Sequence, residues 1–239
     1  IDLSGFEKQG ESLATVRENL LEVEWPTGNM EKGKIVFDLE PGKPLFRTIE
    51  QTQKGIYKVI AHGLDPVFVL TVGKRDLTKA SGWNIFFDKT AYLPFTSHVV
   101  KLEKREAQVI SKGSRTQIII SDVNAEEFSG SLEITLYNGS PLLNVAAVMR
   151  TEKDSVAIIY DAGLISKEAV WKEIFWSDTE NYIQAETVDG NAPSKNLAVK
   201  YRTIIGESSE GSMAIFPPPH QFFFPLDNAY NLKFTWYGR

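Results

Sequence analysis

Short runs of apolar residues, many of them alternating with polar ones, recur along the whole chain. In the clearest case Leu132, Ile134 and Leu136 alternate with Glu133 and Thr135, which is the period of a strand with one buried face. Gly, Pro, Asn and Asp separate such runs at short intervals, as in sandwiches and barrels. The pattern predicts an all-β protein built as one large antiparallel β-sandwich. The runs include KGKIVFDLE, GIYKVIAH, DPVFVLTVGKRD, GSLEITLYNGSPLLNVAAVMRTE, SVAIIYDAGL and NLAVKYRTIIGE.

Helical patterns are scarce. Residues 12–25, SLATVRENLLEVEW, fit either a short N-terminal helix or an opening pair of strands. Residues 166–176, SKEAVWKEIFW, form the best helical candidate, with Ser166 as its N-cap. The same residues also fit a strand that carries Trp171 and Trp176. We therefore expect the sandwich to contain a few short helices.

The chain shows no internal repeat, linker or break in composition, so residues 1–239 are predicted to form a single domain. One turn is well marked, because Asn138-Gly139-Ser140-Pro141 separates two apolar runs. There is no apolar run long enough to span a membrane as a helix. Both ends look trimmed, since the chain starts Ile1-Asp2-Leu3 and stops after an aromatic run. We expect a secreted or periplasmic protein whose signal peptide has been removed, or a domain of a longer protein.

Composition narrows the classes of function. The formal net charge is -5 and 24% of residues are charged, and no cluster of Lys and Arg predicts nucleic-acid binding. The basic segment KLEKRE, residues 101–106, is interrupted by acids and is predicted to be a solvated strand edge. The chain has no cysteine, which excludes disulfides and thiolate metal ligands. Phosphate-binding loops, nucleophile elbows and dinucleotide fingerprints are also missing from the sequence, and no cofactor is predicted.

The segment PPPHQFFFPLD, residues 217–227, is the most unusual part of the chain. Its prolines hold the backbone extended and cannot donate to a sheet. One interpretation is a ligand-binding lip, in which Phe222 stacks on a sugar and His220 hydrogen-bonds its hydroxyls. The other is a stiff crossover that packs its phenylalanines into the core.

Histidines and aspartates supply candidates for acid–base chemistry. His62, His98 and His220 do not have the spacing of metal ligands, so no metal site is predicted, although His98 or His220 can serve as an acid or base. Asp88 and Asp161 each follow an apolar run. A carboxylate at a strand end beside aromatic residues can have a raised pKa and act as an acid, and the alternative is an Asx turn.

Three arginines lie in apolar surroundings: Arg47, Arg150 and Arg202. A half-buried arginine needs a carboxylate or a ligand as its partner. Arg202 beside Tyr201 suits bidentate contact with an acidic sugar, and an internal ion pair is the alternative. Trp83 adds a further aromatic candidate for the ligand surface.

At the level of overall pattern, the strand series with GWNIFFDK early and PPPHQFFFPLD late resembles a β-domain of secreted bacterial proteins that process polysaccharides. The architecture that this resemblance implies is the galactose-mutarotase-like supersandwich. Aldose epimerases of that fold use a histidine in a His-Pro-Tyr-Phe-Asn-Leu-like stretch as an acid, with a later glutamate as base. His220-Gln221-Phe222-Phe223-Phe224 resembles that stretch loosely, without the proline and with only Asp227 as a following acid.

Three hypotheses follow. The leading one is a domain that binds a poly- or oligosaccharide or supports an adjacent catalytic domain, with a ligand surface formed by Trp83, Arg150, Tyr201, Arg202, His220 and Phe222. The second is a glycoside hydrolase, lyase or epimerase in which His220 or His98 pairs with Asp88 or Asp161. The third is a purely structural or protein-interaction domain.

Overall fold

The computed structural model describes residues 1–8, 11–74, 94–188, 194–218 and 235–238. Within these ranges the regular secondary structure consists of β-strands, and there is no helix. The first part of the chain contains β1 (Asp2–Gly5), β2 (Leu13–Arg17), β3 (Leu20–Gly28), β4 (Glu31–Asp38), β5 (Phe46–Gln53), β6 (Ile56–Lys74), β7 (Phe95–Val99), β8 (Lys101–Leu102), β9 (Ala107–Lys112), β10 (Arg115–Ala125), β11 (Phe128–Tyr137), β12 (Leu143–Arg150) and β13 (Val156–Ser166). The last part contains β14 (Glu173–Ser177), β15 (Ile183–Thr187), β16 (Lys195–Leu197), β17 (Ile204–Glu207), β18 (Ser212–Ile215) and β19 (Thr235–Tyr237).

Two large sheets form the main sandwich. One has the order β1-β9-β10-β11-β12, with β8 beside β10, and the other has the order β13-β6-β5-β4-β3-β2, with β7 beside β6. All pairs are antiparallel except β1 with β9. Side chains from both sheets share one core, including Phe37 and Phe46 from one sheet and Ile118 and Ile134 from the other. The predicted all-β sandwich is confirmed.

Strict alternation places these side chains in the core. On β3, Leu21, Val23 and Trp25 are buried while Glu22 and Glu24 lie on the opposite face. Burial of an aliphatic or aromatic side chain stabilises the fold by about 1.5–3 kcal/mol, so the pattern fixes which face turns inward. On β11 the predicted apolar face is confirmed in the same way: its three members are at most 2% exposed, and they are Leu132, Ile134 and Leu136.

The predicted turn after β11 also ties the two sheets together. The indole N–H of Trp25 donates to the carbonyl of Ser140 at 2.9 Å. The amide of Gly139 donates to the carbonyl of Pro26 at 2.8 Å. Gly139 has a φ of 86°, a conformation that glycine adopts without strain. The turn therefore fastens β11 and β12 to β3 of the facing sheet.

Neither of the two predicted helical segments is a helix in the structure. Residues 12–25 form the β2–β3 hairpin, which was the alternative interpretation of that segment. The helix at residues 166–176 is wrong: Ser166 ends β13, and β14 begins at Glu173. Trp171 and Val170 pack instead against the main core. Local helix propensity is only a few tenths of a kcal/mol per residue, and burial of these apolar side chains outweighs it.

Lys104 departs from the prediction of a solvated edge. It is 7% exposed, and its ammonium donates to the backbone carbonyls of Asp38, at 3.1 Å, and of Lys43. Burial lowers the pKa of Lys104, and the carboxylates of Asp65 and Asp38 oppose that shift. The side chain thus connects the segment after β8 to the loop between β4 and β5.

A smaller C-terminal layer, defined as β14–β19, adjoins the main sandwich. Its four-stranded sheet has the order β15-β14-β17-β18, and β16 pairs with β19 as a two-stranded ribbon. Met213 and Trp171 attach the layer to the main core. Gly206 lies under the Trp171 ring so closely that a Cβ at that position would collide with it. The glycine is therefore required for this packing.

Candidate functional site

Four of the predicted site residues lie outside the described residues: Trp83, Asp88, His220 and Phe222. The roles assigned to them stay predictions. The interpretation of residues 217–227 as a ligand-binding lip also stays a prediction, because residues 219–227 lie outside the described residues.

His98 lies on β7 with both ring nitrogens engaged. Its Nδ1 is 3.5 Å from Oε2 of Glu126, and its Nε2 is 2.9 Å from Oγ1 of Thr96. Glu126 occupies the turn between β10 and β11. The histidine therefore has a carboxylate partner, and the partner comes from the facing sheet.

Asp161 is not that partner. It lies in the middle of β13 rather than at a strand end, opposite Val69 of β6, whereas His98 is opposite Leu70. Successive residues of a strand point to opposite faces, so the side chains of His98 and Asp161 lie on opposite sides of the sheet. Sequence reasoning missed Glu126, because its nearness to His98 depends on how the two sheets pack. The local sequence marks the position only by two neighbouring acids, Glu126 and Glu127.

Two adjoining depressions border His98, with volumes of about 80 and 360 Å³. A second ion pair, between Lys153 and Glu127 at 2.6 Å, lines the smaller one. Binding pockets for small molecules usually measure about 300–1,000 Å³. Only the larger depression, lined by Ser97, Lys101 and Asn124 among others, reaches that range.

The predicted arginines divide into two groups. Arg47 on β5 and Arg150 at the end of β12 are exposed, so the expectation that they are half-buried is wrong. Arg202 is partly buried. It lies beside exposed Tyr201 in the bend that separates β16 from β17, where a single strand was expected. The amide of Lys200 donates to the carbonyl of Ser177 at 3.0 Å, which anchors the start of this bend on β14.

The two-stranded ribbon is held against β14 by a compact aromatic and ionic cluster. The rings of Trp176 and Tyr237 lie 6.3 Å apart between centroids, and the Lys195 ammonium lies 5.5 Å from the centroid of Trp176. Lys195 also forms an ion pair with Glu186, which lowers the pKa of Glu186. Burial, reinforced by the nearby Glu186 carboxylate, raises the pKa of Tyr237 above its ordinary value. These contacts fix the orientation of the ribbon.

The opposite face of the ribbon presents an exposed tryptophan. Trp236 pairs directly with Asn196, whereas Leu197 on the inner face is 2% exposed. Trp236 is 55% exposed. Side chains directly opposite in an antiparallel pair lie about 4.5–5.5 Å apart at Cβ, so the indole and the amide form one small platform.

Two exposed tyrosines lie near the other end of β16. Asp178 bridges to Val199, and its carboxylate accepts the amides of Tyr182, at 2.9 Å, and Glu180, at 3.0 Å. These hydrogen bonds lower the pKa of Asp178, the one from Tyr182 most strongly. Tyr201 follows two residues after Val199.

The exposed large hydrophobic side chains are mostly aliphatic in the main sandwich and mostly aromatic in the C-terminal layer. Among the described residues of the main sandwich, fourteen large hydrophobic side chains are exposed, and two of them, Phe95 and Tyr160, are aromatic. In the described residues of the C-terminal layer there are five, of which four are aromatic: Tyr182, Tyr201, Phe216 and Trp236. Exposed aromatic rings are thus concentrated in the layer.

No protein-family model matches this sequence, and no curated protein is detectably similar to it. The likeness to supersandwich domains of polysaccharide-processing proteins therefore stays a prediction. In the described part of the chain no three His, Asp or Glu side chains come together as a group able to hold a metal ion. That part also contains no helix with the length and apolar character needed to cross a membrane.

Proposed function

We propose that this chain is a carbohydrate-binding β-sandwich domain of an exported, polysaccharide-processing protein. The observation that carries the proposal is the platform formed by Trp236 and Asn196 on the outer face of the ribbon. An indole ring offers a flat apolar face to the C–H groups of a pyranose. The amide of Asn196 supplies both donors and an acceptor for hydroxyl groups.

The contacts on the inner face of the ribbon support this function. Trp176 lies against Tyr237 and under the ammonium of Lys195, and these contacts hold the strand pair that presents Trp236 on its other face. A preorganised site loses less conformational entropy on binding and gains affinity by that difference.

The kind of exposed surface favours a sugar over a protein as the ligand. Protein interfaces have a largely apolar centre, whereas Trp236 is flanked by the neutral polar amide of Asn196. Aliphatic exposed residues, the other common mark of a protein interface, are concentrated on the main sandwich. The pattern-level resemblance to supersandwich domains points in the same direction and adds a second role, the support of an adjacent catalytic domain.

The test is binding to a panel of neutral and uronic polysaccharides, measured by affinity gel electrophoresis and isothermal titration calorimetry. We expect Trp236→Ala to weaken binding about tenfold or more, a loss of about 1.4 kcal/mol. Phe95→Ala is the matched control, because Phe95 is also 55% exposed but lies on β7. We expect this control to bind like the wild type.

Three outcomes would count against the proposal. No binding to any polysaccharide would favour the structural or protein-interaction hypothesis. Binding that is insensitive to Trp236→Ala would place the site elsewhere. Equal losses in the Trp236 and Phe95 variants would indicate a general structural effect.

A catalytic role is the second candidate, because His98 and Glu126 pair an imidazole with a carboxylate beside a depression. Product formation in the same polysaccharide mixtures tests it. Turnover that is lost in folded His98→Ala and kept in Trp236→Ala would favour an enzyme. If His98→Ala leaves all turnover intact, this pair has no role in it.

A further inference from the structure

The larger of the two depressions beside His98, of about 360 Å³, lies where the chain passes from one sheet to the other. β7 belongs to the sheet of β6, whereas β8 follows it closely in the chain and pairs with β10 of the facing sheet. The lining comes from residues 97–101 and 124–126. The depression is therefore built from two segments that are far apart in sequence and are brought together by the packing of the sheets.

Lys101 and Asn124 form one side of the depression. They are directly opposite each other in the antiparallel pair of β8 with β10. Side chains at such positions lie on the same face, with their Cβ atoms about 4.5–5.5 Å apart. Val123, the neighbour of Asn124 on β10, is 2% exposed and points inward. Successive residues of a strand alternate, so the ammonium of Lys101 and the amide of Asn124 both point outward.

His98 and Glu126 form the other side. The side chain of Glu126 is 63% exposed, and its Oε2 lies 3.5 Å from Nδ1 of His98. Between Asn124 and Glu126, Ala125 is 4% exposed and turns toward the core. The depression is thus bounded by two contacts between the segments, one that holds a cation beside an amide and one that holds an imidazole beside a carboxylate.

The charged groups at this site are not balanced. The Glu126 carboxylate has His98 as its partner, whereas in the described part of the chain neither the Lys101 ammonium nor the Asn124 amide has a hydrogen-bond or ion-pair partner. A lysine supplies three donors, and an amide supplies two donors and an acceptor. An ionised acceptor forms the strongest hydrogen bonds with such donors, so the unused capacity suits an anionic group.

We propose that this depression binds an acidic sugar, whose carboxylate accepts hydrogen bonds from the Lys101 ammonium and the Asn124 amide. The Glu126 carboxylate, which keeps free acceptor positions beside His98, accepts from hydroxyl groups of the same sugar ring. The volume of the depression falls within the range of small-molecule sites, which fits a single sugar. This inference goes beyond the proposed function, because it assigns a second site on the main sandwich that does not include Trp236.

The experiment is a titration of ¹⁵N-labelled protein with galacturonate at pH 7, followed by the amide resonances of residues 97–101 and 124–126. Galactose and acetate are the matched probes, since they carry the hydroxyl groups or the carboxylate alone. We expect galacturonate to bind roughly fivefold more tightly than either probe, or better. A high salt concentration should weaken this binding, because it screens an exposed charge pair.

Variants test the two donors separately. Lys101→Met should weaken galacturonate binding roughly fivefold or more and leave the weak binding of galactose unchanged. Asn124→Ala should cause a smaller loss. Lys112→Met is the matched control, because Lys112 is an exposed lysine at the end of β9, and it should bind galacturonate like the wild type. The remaining amide resonances report whether each variant is folded.

The outcomes are distinct from those of the Trp236 test. Absence of shifts at residues 97–101 and 124–126 would overturn the site. Acetate that binds as tightly as galacturonate would overturn the assignment to a sugar, and galactose that does so would overturn the role of the carboxylate. Equal affinities in the wild type and Lys101→Met, or equal losses in Lys101→Met and Lys112→Met, would overturn the contact with Lys101. None of these results bears on the platform of Trp236 and Asn196, which the polysaccharide panel tests.

Discussion

The main sandwich and the C-terminal layer are stabilised in different ways. The sandwich has a shared core of fully buried side chains from both sheets, such as Phe37, Ile35 and Ile134. In the layer the described buried apolar residues are Ile174, Leu197 and Val199. There the structure depends instead on ring contacts, a cation over an indole and hydrogen-bonded turns. The layer has little core of its own, and its aromatic residues therefore remain available at the surface.

This difference separates the part that stabilises the fold from the part on which the proposed ligand surface lies. A closely packed core specifies one structure and tolerates change poorly. Short strands on top of such a core are positioned by it, and their outer faces do not contribute to its packing. The contrast explains why the proposed ligand surface lies on the layer, and it can be tested by perturbing each part separately.

The largest expected effect is in the sandwich core. Phe37 is fully buried, with its ring 5.7 Å from that of Phe46 between centroids. Phe37→Ala should lower the free energy of unfolding by about 3–5 kcal/mol, since it removes buried surface and leaves a cavity. Guanidinium denaturation followed by circular dichroism measures this loss. Exposed Phe95→Ala should stay within about 0.5 kcal/mol of the wild type; similar losses in both variants would contradict the assignment of stability to the core.

The next effect concerns Lys104. Lys104→Met leaves the carbonyls of Asp38 and Lys43 without their donor, which should cost about 1–3 kcal/mol in the free energy of unfolding. Burial lowers the folded-state pKa of Lys104 below 10.5, so between that lowered value and 10.5 the unfolded chain binds more protons. Wild-type stability relative to the variant should therefore rise with pH over this window.

Urea denaturation of the wild type and Lys104→Met at pH 7 and pH 10 measures that change. A Lys32→Met variant is the control, because Lys32 forms an exposed ion pair with Glu11 and should show little loss. A stability difference between wild type and Lys104→Met that shrinks as the pH rises would contradict the burial of the ammonium.

A smaller and local effect is expected in the layer. Trp176→Ala removes the ring against which Tyr237 and Lys195 pack. Amide hydrogen exchange of the ribbon, residues 195–197, should accelerate about tenfold, which corresponds to about 1.4 kcal/mol in the local opening free energy. Amides of β3 and β11 should keep their protection. Trp176→Phe should restore part of it, and uniform acceleration across the protein would show that the layer and sandwich open as one unit.

The smallest effect concerns the ion pair beneath the ribbon. Lys195 lowers the pKa of Glu186 from its ordinary 4.5, so the stability that this pair contributes is present above pH 4.5 and is lost as the pH falls through the lowered value. The indole resonance of Trp176 should therefore shift in acid in the wild type and not in Glu186→Gln. Glu127→Gln removes a different surface pair and should keep the acid shift. If the Trp176 resonance of Glu186→Gln still shifts in acid, the Lys195–Glu186 ion pair does not stabilise the ribbon.

Several features could be predicted because they depend on neighbouring residues alone. The alternation in β11 and the turn at residues 138–141 are both present as expected. Side-chain period and turn chemistry are local properties of a strand and a turn. The absence of a helix at residues 166–176 is not a local property, because it depends on the core that receives Val170 and Trp171.

The candidate sites were predicted less well for the same reason. The sequence indicated His98 as a candidate acid or base with Asp88 or Asp161 as its partner, but its carboxylate partner is Glu126 on the facing sheet. Trp236 belongs to a three-residue strand, which is too short for alternation to distinguish its inner face from its outer face. The contact of Tyr237 with Trp176 and the burial of Leu197 show that Trp236 points outward.

The sequence by itself thus determined the all-β class, the inward faces of the long strands and the absence of cysteine chemistry. Each follows from composition or from a period of two, which the chain expresses residue by residue. The tertiary structure decided the burial of Lys104, the pairing of His98 with Glu126 and the exposure of Trp236. These features join residues far apart in sequence, and their positions depend on how the sheets pack against each other.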